Sequence, residues 1–174
     1  MASLIIFRME AVDMPIDPLE LRLAMRQWTT GVTIVSAEYQ VVHHGMTVSS
    51  FFSVSLTPPT VLISLEKITR TYAMVRDSGF FGVNILSSDQ EEISDRFAGR
   101  HTENRDRFYG LETTTLISGA PFLKDSLVCL DCQVIARLDS GTHTVFLGEV
   151  LSAAIHDQKS PLVYFDQHYH RLQD

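Results

Sequence analysis

The segment 45–56, which reads GMTVSSFFSVSL, alternates between apolar and hydroxyl-bearing side chains along most of its length. Successive side chains of a β-strand point to opposite faces of the sheet, so the segment predicts a strand with one mainly apolar face and one face of hydroxyls. An ordinary half-exposed strand of an antiparallel sheet accounts for this alternation. However, no Asp, Glu, Lys or Arg occurs from Tyr39 to Leu65. The lack of charge favours a covered hydroxyl face that hydrogen-bonds a neutral or anionic ligand.

The composition indicates one globular domain over residues 17–174, after an N-terminal tail over residues 1–16. The chain has 174 residues, of which 45% are hydrophobic, and this is enough for a substantial core. The net charge of -7 disfavours nucleic acids and anionic membranes, because both need a basic surface. An anionic ligand therefore needs a local cationic pocket. The apolar run 4–7 is too short for a signal peptide, and Pro58 and Pro59 interrupt the uncharged segment, so a soluble cytoplasmic protein is expected.

Strand signals outnumber helix signals and predict a closed β-barrel rather than alternating β-α-β units. Helices are predicted from the cap Asp17 to Gly31, from about residue 71 to about 77, and from a capping box at 88–91 to Gly99. The first helix carries an apolar stripe formed by Leu21, Ala24, Met25 and Trp28. Strands are predicted over 32–37, 45–56, 60–65, 80–86, 111–117, 126–138, 143–154 and 161–165. Neither G-x-G-x-x-G nor G-x-x-x-x-G-K-[ST] occurs, which excludes a Rossmann or Walker phosphate loop.

Two segments are candidates for binding an anion. Residues 66–71, EKITRT, bring two cations and two hydroxyls to the start of a predicted helix, where backbone N–H groups and the helix dipole favour a phosphate. An ordinary capped surface helix with two solvated cations fits the same residues. The second candidate, a clamp for the pyrophosphate of a dinucleotide, consists of Arg96, Arg100, Arg105 and Arg107. A solvated charge run is the alternative there, because nearby Asp and Glu residues partly neutralise it.

The cysteines and the paired histidines receive no functional role from the sequence. Cys129 and Cys132 have the spacing of a redox dithiol, but they lie in a predicted strand, where residues three apart face opposite sides. Two cysteines are also too few for a four-thiolate zinc site within one chain. The adjacent His43 and His44 face opposite ways in a strand, which argues against a shared metal.

A resemblance to a known family rests on six segments that occur in that family's order. They are 21–36 (LRLAMRQWTTGVTIVS), 45–65 (GMTVSSFFSVSLTPPTVLISL), 81–99 (FGVNILSSDQEEISDRFAG), 119–123 (GAPFL), 143–150 (HTVFLGEV) and 161–165 (PLVYF). In this combination the chain resembles the short-chain flavin reductases, which are the reductase partners of two-component flavin-dependent monooxygenases.

The resemblance implies a mainly β fold, namely an antiparallel Greek-key split β-barrel that binds FMN, with peripheral α-helices. It also implies a homodimer with flavin near the subunit boundary. The implied activity is that of an NAD(P)H:flavin oxidoreductase, in which hydride passes from NADH or NADPH to FMN or FAD and the reduced flavin serves a partner monooxygenase. Because the cofactors supply the chemistry, neither a catalytic acid or base nor a metal is implied. The alternative is a flavin-binding carrier, sensor or electron-transfer protein of the same fold without NAD(P)H turnover.

The resemblance also assigns the residues of the cofactor site. Those implied to meet the isoalloxazine ring and ribityl chain are Thr47, Val48, Ser49, Ser50 and Phe51. Those implied to meet the phosphate are Lys67, Thr69, Arg70 and Thr71. Asn84 and Phe97 are placed at the periphery, and Met46, Ser64 and Arg100 complete the implied cofactor-binding set.

His143 is implied to contact the nicotinamide. The family commonly has Gly-Asp-His-Thr at this place, whereas this chain has Ser140-Gly141-Thr142-His143-Thr144. The hydroxyl of Thr142 thus replaces a carboxylate that would orient the imidazole. The alternative interpretation of His143 is a hydrogen-bonded histidine at the barrel rim.

Overall fold

A computed structural model describes residues 15–100, 106–156 and 159–172, so most of the predicted N-terminal tail lies outside the described residues. The described helices are α1 (Pro18–Met25), α2 (Arg70–Ser78) and α3 (Glu91–Phe97). The described strands are β1 (Thr30–Gly31), β2 (Thr33–Tyr39), β3 (Val42–Val48), β4 (Phe51–Leu56), β5 (Pro59–Glu66), β6 (Phe80–Ile85), β7 (Thr113–Thr115), β8 (Pro121–Leu123), β9 (Val128–Ser140), β10 (His143–Ile155), β11 (Val163–Phe165) and β12 (His168–His170). None of these helices has the length and apolar character that crossing a membrane requires.

The largest sheet has seven strands in the order β3-β2-β6-β9-β10-β5-β4, and every neighbouring pair is antiparallel. Its edge strands β3 and β4 are consecutive in sequence and are separated only by Ser49 and Ser50. A flat seven-stranded sheet would hold its edges roughly 29 Å apart, whereas a link of this length reaches about 11 Å. The sheet must therefore curl until its edges come close. Because β3 and β4 are not paired with each other, the barrel is split there. The closed barrel that the strand pattern predicts is therefore wrong, and the Greek-key split barrel with peripheral helices that the family resemblance implies is confirmed.

Hydrophobic side chains pack on both sides of strand β2. Val35 belongs to the cluster inside the curled sheet, together with Phe81 and Phe146. Ile34, its neighbour in sequence, belongs to a second cluster outside the barrel that includes Phe97. The strand is therefore covered on both faces, which explains why the neighbouring residues Ile34 and Val35 are both fully buried.

Cys129 and Cys132 lie in β9 and belong to different clusters. Cys132 packs inside the barrel, and Cys129 packs with Ala120 and Phe122. Burial raises the pKa of Cys129 to about 11 and, together with the charge of Asp131, that of Cys132 to about 12. The two sulfurs thus occupy the opposite faces that the strand pattern predicts, and neither is set up as a reactive thiolate.

The segment 45–56 is not a single strand, and that prediction is wrong. β3 ends at Val48 and β4 begins at Phe51, because the chain passes here from one edge of the sheet to the other. Beyond the break, the apolar positions are not buried within the chain. Phe52, Val54 and Leu56 are 48%, 51% and 87% exposed.

Helix α1 begins as predicted but ends early. The Leu19 N–H donates to Asp17 Oδ1 at 2.6 Å, which confirms the N-cap. The helix ends at Met25 rather than Gly31, and Gly31 instead pairs with Val163 in β11. No residue of α1 is buried, so the predicted apolar stripe has no surface to pack against within the described chain.

The other differences concern short elements. The predicted capping box of α3 is wrong: Gln90 caps the helix without a side-chain bond, and its Oε1 accepts from the Ser87 N–H at 2.9 Å instead. The strand predicted over 111–117 is reduced to Thr113–Thr115. Strands β1, β8 and β12 were not predicted, because two or three residues are too few to show alternation.

Candidate functional site

A cavity of about 410 Å³ lies at the start of α2, between β3, the end of α3 and the segment that follows residue 105. Its lining residues are His44, Met46, Thr47, Thr69, Arg70, Thr71, Phe97, Ala98 and Arg107. Two guanidinium groups, an imidazole and three hydroxyls therefore converge here, and no carboxylate is among the described lining residues. These groups suit an oxygen anion such as phosphate. We call this space the anion cavity.

The start of α2 contributes to the anion cavity through its cap. Thr69 Oγ1 accepts from the Tyr72 N–H at 3.3 Å and donates to Glu66 O at 2.8 Å, which fixes the first turn. The unpaired N–H groups and the helix dipole at this end favour negative charge, and Arg70 adds a cation. The helix start that the sequence predicts at 66–71 is thus confirmed, with the cap at Thr69.

Arg107 is the second cation of the anion cavity and is held more rigidly than Arg70. Its Nη1 donates to Gly45 O at 2.9 Å and to Phe97 O at 2.7 Å. Burial lowers the pKa of its guanidinium. These two bonds tie β3 to the end of α3, so Arg107 both shapes the cavity and carries charge into it.

The three described arginines of the proposed pyrophosphate clamp do not line one cavity. Arg96 donates to Tyr109 O at 2.5 Å, and Arg100 donates to Asp95 Oδ1 at 2.8 Å. Neither lines the anion cavity with Arg107. Arg105 lies outside the described residues.

Gly45 allows β3 to approach the aromatic wall of the anion cavity. An added Cβ at this position would lie 2.9 Å from Phe97 Cε1 and 3.1 Å from Phe108 Cζ. The two rings pack edge to face with their centroids 4.8 Å apart, and Phe97 is fully buried. A side chain at position 45 would therefore displace the wall.

A groove extends from the anion cavity past the link between β3 and β4. Three further cavities of about 190, 330 and 440 Å³ all include Ser49, and the smallest shares Thr47 with the anion cavity. Trp28 lines the two larger cavities, and Tyr164 lines the smallest and the largest. Trp28 and Tyr164 thus lie at one end of the groove, where Arg22 and Arg26 also line the largest cavity. Arg70 and Arg107 lie at the other end. This suits a planar ring system joined through a polar chain to a phosphate.

Most of the predicted cofactor-binding residues border this groove. Those that line the anion cavity are Met46, Thr47, Thr69, Arg70, Thr71 and Phe97. Those that line the neighbouring cavities are Thr47, Ser49, Ser50, Phe51 and Arg100. Ser64 lies beneath the groove, where its carbonyl accepts from Ser50 Oγ at 2.8 Å.

Three predicted residues lie elsewhere. The Val48 side chain is 5% exposed and packs in the barrel core. Asn84 is fully buried; its Nδ2 donates to Ile34 O at 3.2 Å and its Oδ1 accepts from the Leu123 N–H at 2.8 Å, so no surface is left for a ligand. Lys67 does not line the anion cavity, and its Nζ donates to Gly141 O at 3.1 Å.

Lys67 and His143 instead meet at the tip of the β9–β10 hairpin. The Lys67 N–H donates to Thr142 O at 2.9 Å, and Lys67 Nζ lies 3.6 Å from Asp139 Oδ2. His143 is exposed, and its Nδ1 lies 2.9 Å from Thr142 Oγ1. The hydroxyl that replaces the family's usual carboxylate is therefore the group that holds the imidazole.

Sequence reasoning missed His44 as a site residue and did not separate Arg107 from its neighbours. The signal for His44 was an imidazole directly before the hydroxyl-rich segment 45–56. The sequence does not show that the His44 side chain points towards α2. The structure shows this through the contact of its Nδ1 with Thr71 Oγ1 at 2.8 Å. Trp28 and Tyr164 were also missed, because nothing in their local pattern separates a groove wall from a core aromatic.

The fold and the groove together define a class of protein, the flavin-nucleotide-binding split barrels. Within this class, residues 25–173 match the family of the flavin reductase like domain. The chain belongs to this family, which confirms the family that the sequence motifs indicate.

Individual relatives support the same assignment. The chain is 37% identical to an NADH-dependent flavin reductase of a Rhodococcus species over 93% of this chain and 90% of that protein. It is 35% identical to HsaB, the reductase subunit of a flavin-dependent monooxygenase of Rhodococcus jostii, over 88% of this chain and 77% of that protein. The structure of the NADH:FAD oxidoreductase SgcE6 of Streptomyces globisporus is similar with a TM-score of 0.85 at 30% identity, covering 92% of this chain and 98% of that one.

Replacing Gly45 tests the packing of the cavity wall. Gly45→Ala should lower the free energy of unfolding by about 1–3 kcal/mol, the usual cost of an overpacked core, because Phe97 has no room to move. Gly31→Ala is the matched control, since an added Cβ there meets nothing within 4 Å. Urea denaturation measures both. Equal urea midpoints for the two variants would contradict this prediction, because they would show that Phe97 and Phe108 can move to accommodate the added methyl group.

Proposed function

We propose that this protein is an NADH:flavin oxidoreductase that supplies reduced flavin to a partner monooxygenase. The observation that carries the proposal is the groove that joins aromatic walls beside Ser49 to the anion cavity at α2. Membership of the flavin reductase-like family supports it, as do relatives described as an NADH-dependent flavin reductase and a monooxygenase reductase subunit. NADH is the nicotinamide donor that these names favour, and FMN and FAD are both acceptors to test. Because NADH is a cytoplasmic metabolite, we place the activity in the cytoplasm.

The residues of the groove would bind and orient the flavin. When both cofactors are bound, the chemistry is a direct hydride transfer from the nicotinamide to the flavin ring. Phe51 and Trp28 offer aromatic surface for the ring, and the Ser49 hydroxyl is exposed for the polar part of the ligand. Arg70 and Arg107 would neutralise the phosphate beside the N–H groups of α2. This division of roles leaves no step that needs a side-chain acid or base.

His143 would orient the nicotinamide. Because its Nδ1 is engaged by Thr142, Nε2 is the nitrogen available to the carboxamide of a nicotinamide, with which it can form a hydrogen bond. Lys67 lies at the same hairpin tip, so we assign it to the nicotinamide together with His143 rather than to the flavin phosphate.

We also propose a homodimer. Among the described strands, the edge strand β4 pairs with β5 alone, and it exposes the side chains of Phe52, Val54 and Leu56. An apolar edge strand left in water promotes association. The exposed apolar side chains of α1 add to this surface, and Phe52 also lines the groove, so a partner subunit would cover the flavin site.

Steady-state turnover tests the proposed function. The purified protein should oxidise NADH in the presence of FMN or FAD, with a kcat in the ordinary enzyme range of about 1–1000 per second. The decay of NADH absorbance under anaerobic conditions, with reduced flavin as product, measures the reaction. A flavin carrier, sensor or electron-transfer protein would bind flavin but leave NADH unchanged, and that result would overturn the enzyme assignment.

The role of His143 predicts a selective kinetic defect. His143→Ala should leave flavin affinity within about twofold and lower kcat/KM for NADH about ten- to a hundredfold, or about 1.4–2.7 kcal/mol of transition-state stabilisation. The variant would no longer orient the nicotinamide, and hydride transfer is sensitive to the relative position of the reacting atoms. His156→Ala is the control, because His156 follows the far end of the same strand β10. If both variants kept normal NADH kinetics, His143 would be a structural residue of the rim.

The exposed strand β4 predicts the oligomeric state. Light scattering at micromolar concentration should give twice the chain mass of 19.6 kDa. Val54→Asp should shift the protein towards monomer, because a carboxylate would be buried at the contact. Ile68→Asp is the control, since Ile68 is 87% exposed but lies just before α2 and away from β4. A wild-type monomer would contradict the proposal.

A further inference from the structure

The two adjacent histidines of β3 have different surroundings. His43 is exposed, and its Nε2 lies 2.7 Å from Glu38 Oε2. His44 is half-buried, lines the anion cavity, and has its Nδ1 2.8 Å from Thr71 Oγ1. The same strand therefore provides one histidine that faces the proposed phosphate site and one that does not.

His44 is surrounded mainly by positive charge. Arg107 reaches it from the segment after residue 105, and Arg70 from α2. Burial and these two cations lower the pKa of His44 to about 4, and Asp106 opposes them only weakly. The imidazole is therefore neutral near pH 7 in the protein alone.

One nitrogen of His44 is free to act on a ligand. Thr71 engages Nδ1, and Nε2 has no hydrogen-bond partner among the described residues. Thr71 lies in the first turn of α2, so this contact holds the imidazole beside the helix N–H groups. An anion that reaches those groups comes within range of His44.

We infer that His44 is a proton-coupled ligand of the flavin phosphate: it takes up a proton from solvent as the phosphate enters the anion cavity, and it donates Nε2–H to a phosphate oxygen. The inference rests on the proposed flavin binding and extends it. His44 would then distinguish flavin nucleotides from riboflavin, which lacks the phosphate.

The sign of the coupling follows from the charges. A phosphate dianion next to His44 outweighs the nearby cations and favours the charged imidazole, so its pKa rises on binding. A group whose pKa is raised by a ligand takes up a proton on binding, and the affinity for that ligand falls as pH rises towards the new pKa. The phosphate itself titrates near pH 6, so the effect of His44 is to be measured above that value.

Calorimetry of FMN binding tests the inference. Binding heats in two buffers of different ionisation enthalpy give the number of protons taken up. At about pH 6.8, chosen to lie above the phosphate titration, the wild type should take up between about one half and one proton more with FMN than with riboflavin. His44→Gln should lose this uptake and bind FMN about ten- to a hundredfold more weakly. Riboflavin affinity should stay within about twofold.

The neighbouring histidine supplies the matched control. His43→Gln should retain both the proton uptake and the FMN affinity of the wild type. Equal proton uptake for FMN and riboflavin in the wild type would overturn the inference. This comparison needs no variant, so it remains decisive even if His44→Gln folds poorly. An equal loss of FMN and riboflavin binding in His44→Gln would overturn it as well. If neither flavin bound the wild type, the proposed function itself would fail, which is a distinct result.

Discussion

The two-residue link between β3 and β4 is the constraint on which the rest of the structure depends. It joins the opposite edges of a seven-stranded sheet, and a link this short leaves no alternative to a curled sheet. The same link carries Ser49, which borders three of the four cavities of the groove. Barrel closure and ligand binding are thus consequences of one local feature.

The anion cavity gathers positive charge within a chain of net charge -7. Its cations come from α2 and from the segment after residue 105, and its imidazole comes from β3. Burial disfavours the charged form of Arg107, as the lowered pKa shows. Burial, with Arg107 and Arg70, disfavours a charged His44. A phosphate in the proposed site would favour the charged forms of both Arg107 and His44, because it supplies the opposite charge. Ligand binding therefore also stabilises the folded protein.

The sequence predicts the start of α2 well, because capping is a local property. The strand pattern predicts a barrel but not its split, which only the family resemblance implies. The sequence predicts side-chain directions poorly. Family resemblance places Asn84 and Val48 beside the ligand along the chain, but the pleat of β6 and β3 turns both into the interior. Lys67 and Arg70 are three residues apart in sequence, yet the turn before α2 sends one to the hairpin tip and the other to the anion cavity. The apolar positions of β4 misled the burial prediction because no part of the described chain covers them.

The burial of the two cysteines protects the protein from oxidation that follows from its own reaction product. Reduced flavin in solution passes two electrons to oxygen and yields oxidised flavin and hydrogen peroxide, so a protein that makes reduced flavin works close to an oxidant. Peroxide attacks thiolates far faster than thiols, and it attacks those it can reach. Cys129 and Cys132 are 1% and 0% exposed, and their raised pKa values keep both protonated. Because these are the only cysteines in the chain, the protein presents no accessible thiolate to the peroxide, and sulfenic acid formation or disulfide cross-linking between molecules has no starting point.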